Sequence, residues 1–229
     1  MYKYIFFDLD HTLWDFDTNC SLTLAELYET YELHRFSFSL DSFIKTYKKI
    51  NAEMWDAYNR KQLSKESLRS DRFKKTFEEL GISSMEVVPL INEDFLRICP
   101  AKGSVYPHTH EILSYLQQKY KMCIITNGFS ETQHIKIATS GLYPYFTHVV
   151  EAEKVGVAKP DKRIFIHCMN LFNTHPEECI MIGDDLYVDI IGARDSGIDQ
   201  VFVNRRAVQH HEKDITYEIS CLSELRNIL

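Results

Sequence analysis

The feature that most constrains this chain is a repeated one: short apolar runs, rich in β-branched and aromatic residues, most of them ending on an acidic or amide side chain. KYIFFD (3–8), MCIITN (122–127), THVVEA (147–152), CIMIGD (179–184) and QVFVN (200–204) are the clearest, and ITYEIS (215–220) is a sixth. Continuous apolar runs of this length read as strands covered on both faces. Between most of them lie segments of helical period: Ile112, Tyr115, Leu116 and Tyr120; His134, Ile137 and Ala138; Ile164, Phe165, Cys168 and Leu171; Val188, Ile191 and Ala193. Strand alternating with helix implies crossover connections, a mainly parallel sheet and a layered α/β domain.

One interval breaks this rhythm. From about Asp17 to Ile98 no strand pattern occurs; instead there are charged stretches of 3.6-residue period, Leu22 to His34, Asp41 to Arg60, Lys65 to Leu80 and Met85 to Ile98, with Ser64 and Gly81 as helix punctuation. CPAKGSVYP (99–107) marks the return to the sheet. The expected organisation is an α/β core of residues 1–16 and 100–229 interrupted by a helical domain over 17–99. Open α/β sheets bind ligands at the carboxyl ends of their strands, so an insertion after the first strand is expected over that edge.

Bulk properties narrow the function classes. Of 229 residues, 45% are hydrophobic and 26% charged, and the formal charge is −7. A net acidic chain argues against broad attraction to nucleic-acid polymers or anionic membranes. No run approaches the roughly 20 apolar residues that span a bilayer, and the N-terminal run turns acidic too soon for a signal peptide. Six cysteines without a C-x-x-C pair read as reduced packing residues. The expectation is a soluble cytoplasmic protein, monomer or homodimer, acting on a small molecule.

The chemistry gathers at the strand ends. Strand one delivers Asp8 and Asp10, strand two Thr126 and Asn127; after strand three comes Lys159 before Pro160, and strand four delivers Asp184 and Asp185, with Asp189 further on. Carboxylates crowded together are unfavourable unless a cation sits among them, and oxygen donors without His or Cys favour Mg²⁺. A carboxylate can attack phosphorus and form an aspartyl-phosphate. A second acid two residues on, on the same side of a strand, can supply the leaving-group proton and then activate water. A lysine, a hydroxyl and an amide suit the charge on phosphoryl oxygens.

DLDHT (8–12), TNG (126–128), KP (159–160) and GDDLYVD (183–189) resemble, in order, the four motifs of the haloacid dehalogenase superfamily. The resemblance implies a Rossmann-like parallel sheet domain with an inserted α-helical cap. It implies Asp8 as nucleophile and Asp10 as general acid/base. Mg²⁺ would be held by the Asp8 carboxylate, the Asp10 backbone carbonyl and Asp184, with Asp189 acting behind them through water or Lys159. Thr126, the Asn127 backbone and Lys159 would grip the phosphate. The dehalogenases that name the superfamily lack the second acid and need no Mg²⁺, so Asp10 points to phosphate chemistry. More narrowly, DLDHTLWDFD, TNGFSETQ and the segment NAEMWDAYNRKQLSKESLRSDRF (51–73) resemble the pyrimidine 5′-nucleotidase branch.

The implied activity is Mg²⁺-dependent hydrolysis of phosphomonoesters, nucleoside 5′-monophosphates first and pyrimidines preferred. The alternatives are a mutase of the β-phosphoglucomutase type, a phosphoglycolate or sugar-phosphate phosphatase and, last, a non-enzymatic binding module. Trp14 and Phe16 are the candidates to line a substrate pocket. Asp185 reads as helix N-terminal charge, His11 as structural or solvent-facing, Trp55 and Tyr58 as an aromatic core face ahead of base stacking, and Arg69 and Arg72 as surface residues ahead of a reach to a substrate anion.

Overall fold

A computed structural model describes residues 1–82 and 86–229. The chain divides into two compact units, residues 1–16 with 103–229 and residues 17–102. Four helices dominate the second: α1 (Phe16–Thr30, whose first residue belongs to the other unit), α2 (Leu40–Asn59), α3 (Lys65–Glu79) and α4 (Val88–Ile98). A helix was expected from Met85; that residue lies outside the described ones. Serine hydroxyls begin α2 and α3, Ser39 accepting from the Ser42 amide at 3.2 Å and Ser64 from the Ser67 amide at 3.1 Å, each cap stabilising its helix by about 1 kcal/mol. Gly81 follows α3 at φ +82°, a left-handed exit that glycine adopts without strain.

Apolar positions Phe43, Tyr47, Ile50 and Met54 repeat at helical spacing on α2 and are buried. Tyr47 packs 4.7 Å from Phe73 and 5.0 Å from Phe95, ring centre to ring centre. Arg72 departs from its expected surface position. It is buried, its Nη1 donates to Asn51 Oδ1 at 3.0 Å, and its guanidinium lies 5.5 Å from the Phe95 ring centre. Its aliphatic stem packs within the aromatic core while the amide takes up one donor.

The first unit is built on β1 (Tyr4–Phe7), β2 (Lys121–Thr126), β3 (His148–Glu151), β4 (Cys179–Gly183), β5 (Asp199–Val203) and β6 (Tyr217–Ile219). All six expected strands are present, in one sheet of order β3-β2-β1-β4-β5-β6, every neighbouring pair parallel. Five helices accompany them: α5 (Thr109–Leu116), α6 (Ser130–Thr139), α7 (Ala152–Val155), α8 (Lys162–Phe172) and α9 (Gly192–Asp195). Phe6, Cys123, Ile125 and Met181 of the sheet pack with Ile164, Phe165 and Cys168 of α8 in one core. Chain order reverses at β1, with β2 and β3 to one side and β4 to β6 to the other. Side chains leaving β1 and β4 therefore share the switch point at which such sheets bind ligands.

Two sequence expectations change here. α6 buries Gln133, Lys136 and Ile137, while His134 and Ala138 are exposed. The polar pair faces inward because it has partners at the sheet edge, and partnering outweighs the apolar pattern. β1 also stops at Phe7, so Asp10 is not on a strand. Among the described residues all six cysteines are free, and no helix is long and apolar enough to cross a membrane.

Candidate active site

Asp8 continues the β1 ladder for one more bond, its amide donating to the Ile182 carbonyl at 2.9 Å, which sets it beside the end of β4. Lys159, 1% exposed, reaches it: Nζ lies 2.6 Å from Asp8 Oδ1 and 2.7 Å from Asp189 Oδ1. Two features allow this. The Asn127 side chain clasps the Lys159 backbone, donating to its carbonyl and accepting from its amide, both at 2.9 Å. Residue 183 is glycine, and a Cβ there would sit 2.3 Å from Asp189 Oδ2. Asp184 Oδ1 accepts from the Thr12 hydroxyl at 2.9 Å. One carboxylate oxygen each from Asp8, Asp184 and Asp189 lie within 4.8 Å of one another. Asp185 caps the next turn, its Oδ1 accepting from the amides of Tyr187 at 2.9 Å and Val188 at 2.7 Å, as its helix-terminal reading expects.

Burial pushes the Asp8 carboxyl up to about 7; the Asp189 and Asp10 charges add to this and Lys159 opposes it. Burial and the charges of Asp8 and Asp189 push Asp184 well above the usual carboxylate range. Burial works against a charged Lys159, but Asp189 and Asp8 outweigh it and hold the ammonium in its protonated form. With all three carboxyls ionised, one ammonium would leave two negative charges uncancelled, which is why Asp8 and Asp184 hold their protons so strongly in the absence of a further cation. A divalent cation cancels both, and an all-oxygen donor set suits Mg²⁺, so the residues present fit that metal.

The second aspartate sits in a different environment. After Asp8 the chain turns back, with the Trp14 amide donating to the Leu9 carbonyl at 2.9 Å and His11 at φ +62°. The strand alternation expected to align Asp10 with Asp8 therefore does not apply. Asp10 faces α6 instead: Lys136 Nζ donates to its Oδ1 at 2.6 Å and Gln133 Nε2 to its Oδ2 at 2.8 Å. Burial pushes the Asp10 carboxyl up, but the Lys136 charge and the two hydrogen bonds outweigh it and hold it below the usual range. Thr126 Oγ1 accepts from Gln133 Nε2 at 2.5 Å and from the Gly128 amide at 3.0 Å.

Trp14 does not line an open pocket. It is fully buried, and Lys136 Nζ stands 4.6 Å from its ring centre. Phe16 is half-buried, 4.7 Å from the His11 ring. Thr12 and Gln133 stand inside DLDHT and TNGFSETQ with no role read for them, and neither Lys136 nor Arg205 figured in the sequence reading. The Arg205 guanidinium donates to the carbonyls of His11 at 2.6 Å and Thr12 at 2.9 Å and lies 3.8 Å from the Tyr106 ring centre. The Q-x-x-K spacing after TNG is the signal that could have marked Gln133 and Lys136, since it sets two polar side chains on one helical face.

A doubly wound parallel sheet with acids, a buried lysine and a hydroxyl at its switch point, interrupted after β1 by a helical unit, defines a class. The chain matches the haloacid dehalogenase-like hydrolase family over residues 2–197 and belongs to it. It is similar to the HAD-hydrolase YfnB of Bacillus subtilis, 30% identical over 234 residues covering 100% of this chain and 95% of that protein. The crystal structure of YfnB bound to magnesium superposes with a TM-score of 0.87 at 28% identity, covering 99% of this chain and 98% of that one. The pyrimidine 5′-nucleotidases PynA of Streptococcus pneumoniae and YjjG of Escherichia coli are 28% and 29% identical, each over 100% of this chain and over 95% and 98% of their own lengths.

Proposed function

We propose that this hydrolase is a Mg²⁺-dependent phosphomonoesterase that works through an aspartyl-phosphate on Asp8, with pyrimidine nucleoside 5′-monophosphates as the preferred substrates. The observation that carries the reading is the division of labour between the two aspartates. Asp8 sits in a cluster with surplus negative charge and shares Lys159 with Asp189, while Asp10, two residues on, has its own ammonium and amide. The nucleotide preference draws support from the full-length similarity to PynA and YjjG.

The Asp8 carboxylate, the Asp10 backbone carbonyl and Asp184 would hold the metal, with Asp189 committed to Lys159. Bound Mg²⁺ supplies the positive charge that keeps these carboxylates ionised beside a phosphate. The Thr126 hydroxyl already accepts two hydrogen bonds, so its own proton is left to donate to a phosphoryl oxygen. An Asp8 oxygen attacks phosphorus, the bond from phosphorus to the nucleoside 5′ oxygen breaks, and Asp10 gives that oxygen its proton. Entry of the phosphate dianion raises the proton affinity of Asp10, which lets it carry this proton. Asp10 then takes a proton from water as the water oxygen attacks phosphorus. The bond to Asp8 breaks and inorganic phosphate leaves.

The test is phosphate release from a panel of purine and pyrimidine nucleoside 5′-monophosphates, sugar phosphates and phosphoglycolate, with Mg²⁺ and with EDTA. Release led by UMP-like or dTMP-like esters, lost with EDTA and lowered at least about 10³-fold in Asp8→Asn, is the expected result. Release led by sugar phosphates would remove the nucleotide preference, and undiminished release by Asp8→Asn would remove the nucleophile.

A further inference from the structure

We propose that Gln133 and Lys136 are positioning residues: a brace from α6 that fixes the Asp10 carboxylate and aims the Thr126 hydroxyl proton. It governs proton delivery to the leaving group separately from nucleophilic attack. The inference rests on the roles given above to Asp10 and Thr126.

Four observations carry it. First, Gln133 is 0% exposed, and its amide donates both to Asp10 Oδ2 at 2.8 Å and to Thr126 Oγ1 at 2.5 Å. A primary amide has two N–H groups, so both donors are committed, and only a donor-rich side chain can bridge two oxygens in this way. Second, Lys136 lies one turn further along the same face and binds the other carboxylate oxygen at 2.6 Å. The ammonium stands over the buried face of Trp14, 4.6 Å from its centre. The two carboxylate oxygens are thereby held from two directions, which fixes the plane of the group as well as its position.

Third, the loop before α6 is built around the glutamine. A Cβ at Gly128 would sit 2.0 Å from Gln133 Nε2, so residue 128 leaves the space that the amide occupies. Fourth, the arrangement is expensive as packing. Burying a lysine and an amide disfavours folding unless each finds partners, and two apolar side chains would fill the same face without that cost. The partners they find are the proton carrier and the phosphate-facing hydroxyl, and each contact is a hydrogen bond to an oxygen with a chemical task.

A brace acting on proton delivery makes a prediction that a merely structural contact does not. A nucleoside 5′ oxygen leaves with difficulty and needs its proton; p-nitrophenolate leaves without one. In Gln133→Met and Lys136→Met, kcat/KM for UMP or dTMP should fall about 10²-fold, at least about tenfold more than kcat/KM for p-nitrophenyl phosphate. Gln133→Met should also weaken competitive inhibition by inorganic phosphate about tenfold, because the Thr126 proton is no longer aimed. Both variants are compared with the wild type for thermal midpoint and for the Mg²⁺-induced shift in that midpoint. If Lys136→Met fails to fold, Lys136→Gln replaces it.

Equal losses on the two esters, or none on either, overturn the brace. Wild-type enzyme that releases phosphate from neither ester overturns the phosphatase reading itself, and Asp8→Asn that still releases it overturns the nucleophile on which the brace rests. An active wild type with an inactive Asp8→Asn leaves that reading standing, so the two failures are distinguishable.

Discussion

Asp8 and Asp10 are separated by one residue, yet their surroundings are opposites. Around Asp8 the structure gathers three carboxylates and one ammonium, and the carboxyls of Asp8 and Asp184 are held above their ordinary range. Around Asp10 one carboxylate meets one ammonium and one amide, and its carboxyl is held below that range. The first half is incomplete without a cation; the second is balanced by the protein alone. On the proposed mechanism, a divalent metal would serve the attack on phosphorus, and the handling of protons would fall to a helix that contributes no carboxylate to the acidic cluster.

The sharpest way to break this contrast is Lys159→Met, which leaves the Asp8 half with no positive charge. Removing one partner of a buried pair costs about 3–5 kcal/mol, so urea unfolding of the metal-free protein should show a loss of that order, partly recovered by Mg²⁺. A neutral outcome would mean that the cluster is not energetically coupled to Lys159.

Next comes the response to metal and pH. A carboxyl raised above its unfolded value of 3.8, such as Asp8 at about 7, disfavours the fold as pH rises through 7. The metal-free protein should therefore gain stability from this half as pH falls from 8 to 5. Asp10 has the opposite sign. Its lowered carboxyl contributes stability above its unfolded value and loses it only below about pH 4. Mg²⁺ at 100 times its dissociation constant should add about 2.7 kcal/mol at pH 8, and less at pH 5, read as a shift in thermal midpoint. A shift that is equal at both pH values would contradict the charge surplus.

On the Asp10 half, Gly128→Ala should push the Gln133 amide aside and lower nucleotide kcat/KM about tenfold, or 1.4 kcal/mol, with the Mg²⁺ shift intact. The smallest effect on the metal-free protein is expected of Asp184→Asn. Removing one surplus charge should raise the metal-free midpoint by about 2–4 °C for each 1 kcal/mol gained, while the Mg²⁺ shift disappears. A lowered midpoint would mean that the Thr12 contact matters more than the repulsion.

Much of this was legible in the chain. Six apolar runs became six parallel strands, and the interval without strand pattern became helices, because strand and helix differ in the period of their apolar residues. The motifs at the strand ends were legible because backbone topology alone brings them to one edge. Trp14 and Arg72 were misread, since an aromatic near a site and an arginine on a charged helix look exposed in sequence, and only three-dimensional packing decides which side of a wall they occupy. Lys136 was missed for a related reason. On α6 the apolar pattern His134, Ile137 and Ala138 named a face, and the structure turns a neighbouring one inward.

Sequence by itself determined the strand and helix segments, the parallel sheet and the set of acids, lysine and hydroxyl that such a sheet carries to one edge, because these follow from local periodicity and from the order of segments. Tertiary structure alone decided which carboxylate shares Lys159, which is held by Gln133 and Lys136, and where Asn127 and Arg205 fix the loops. Those pairings depend on the angle at which a helix leaves its strand and on a left-handed turn at His11. They are set by the balance of burial and hydrogen bonding across residues from 32 to 194 positions apart for the hydrogen-bonded pairs, and no local pattern encodes that balance.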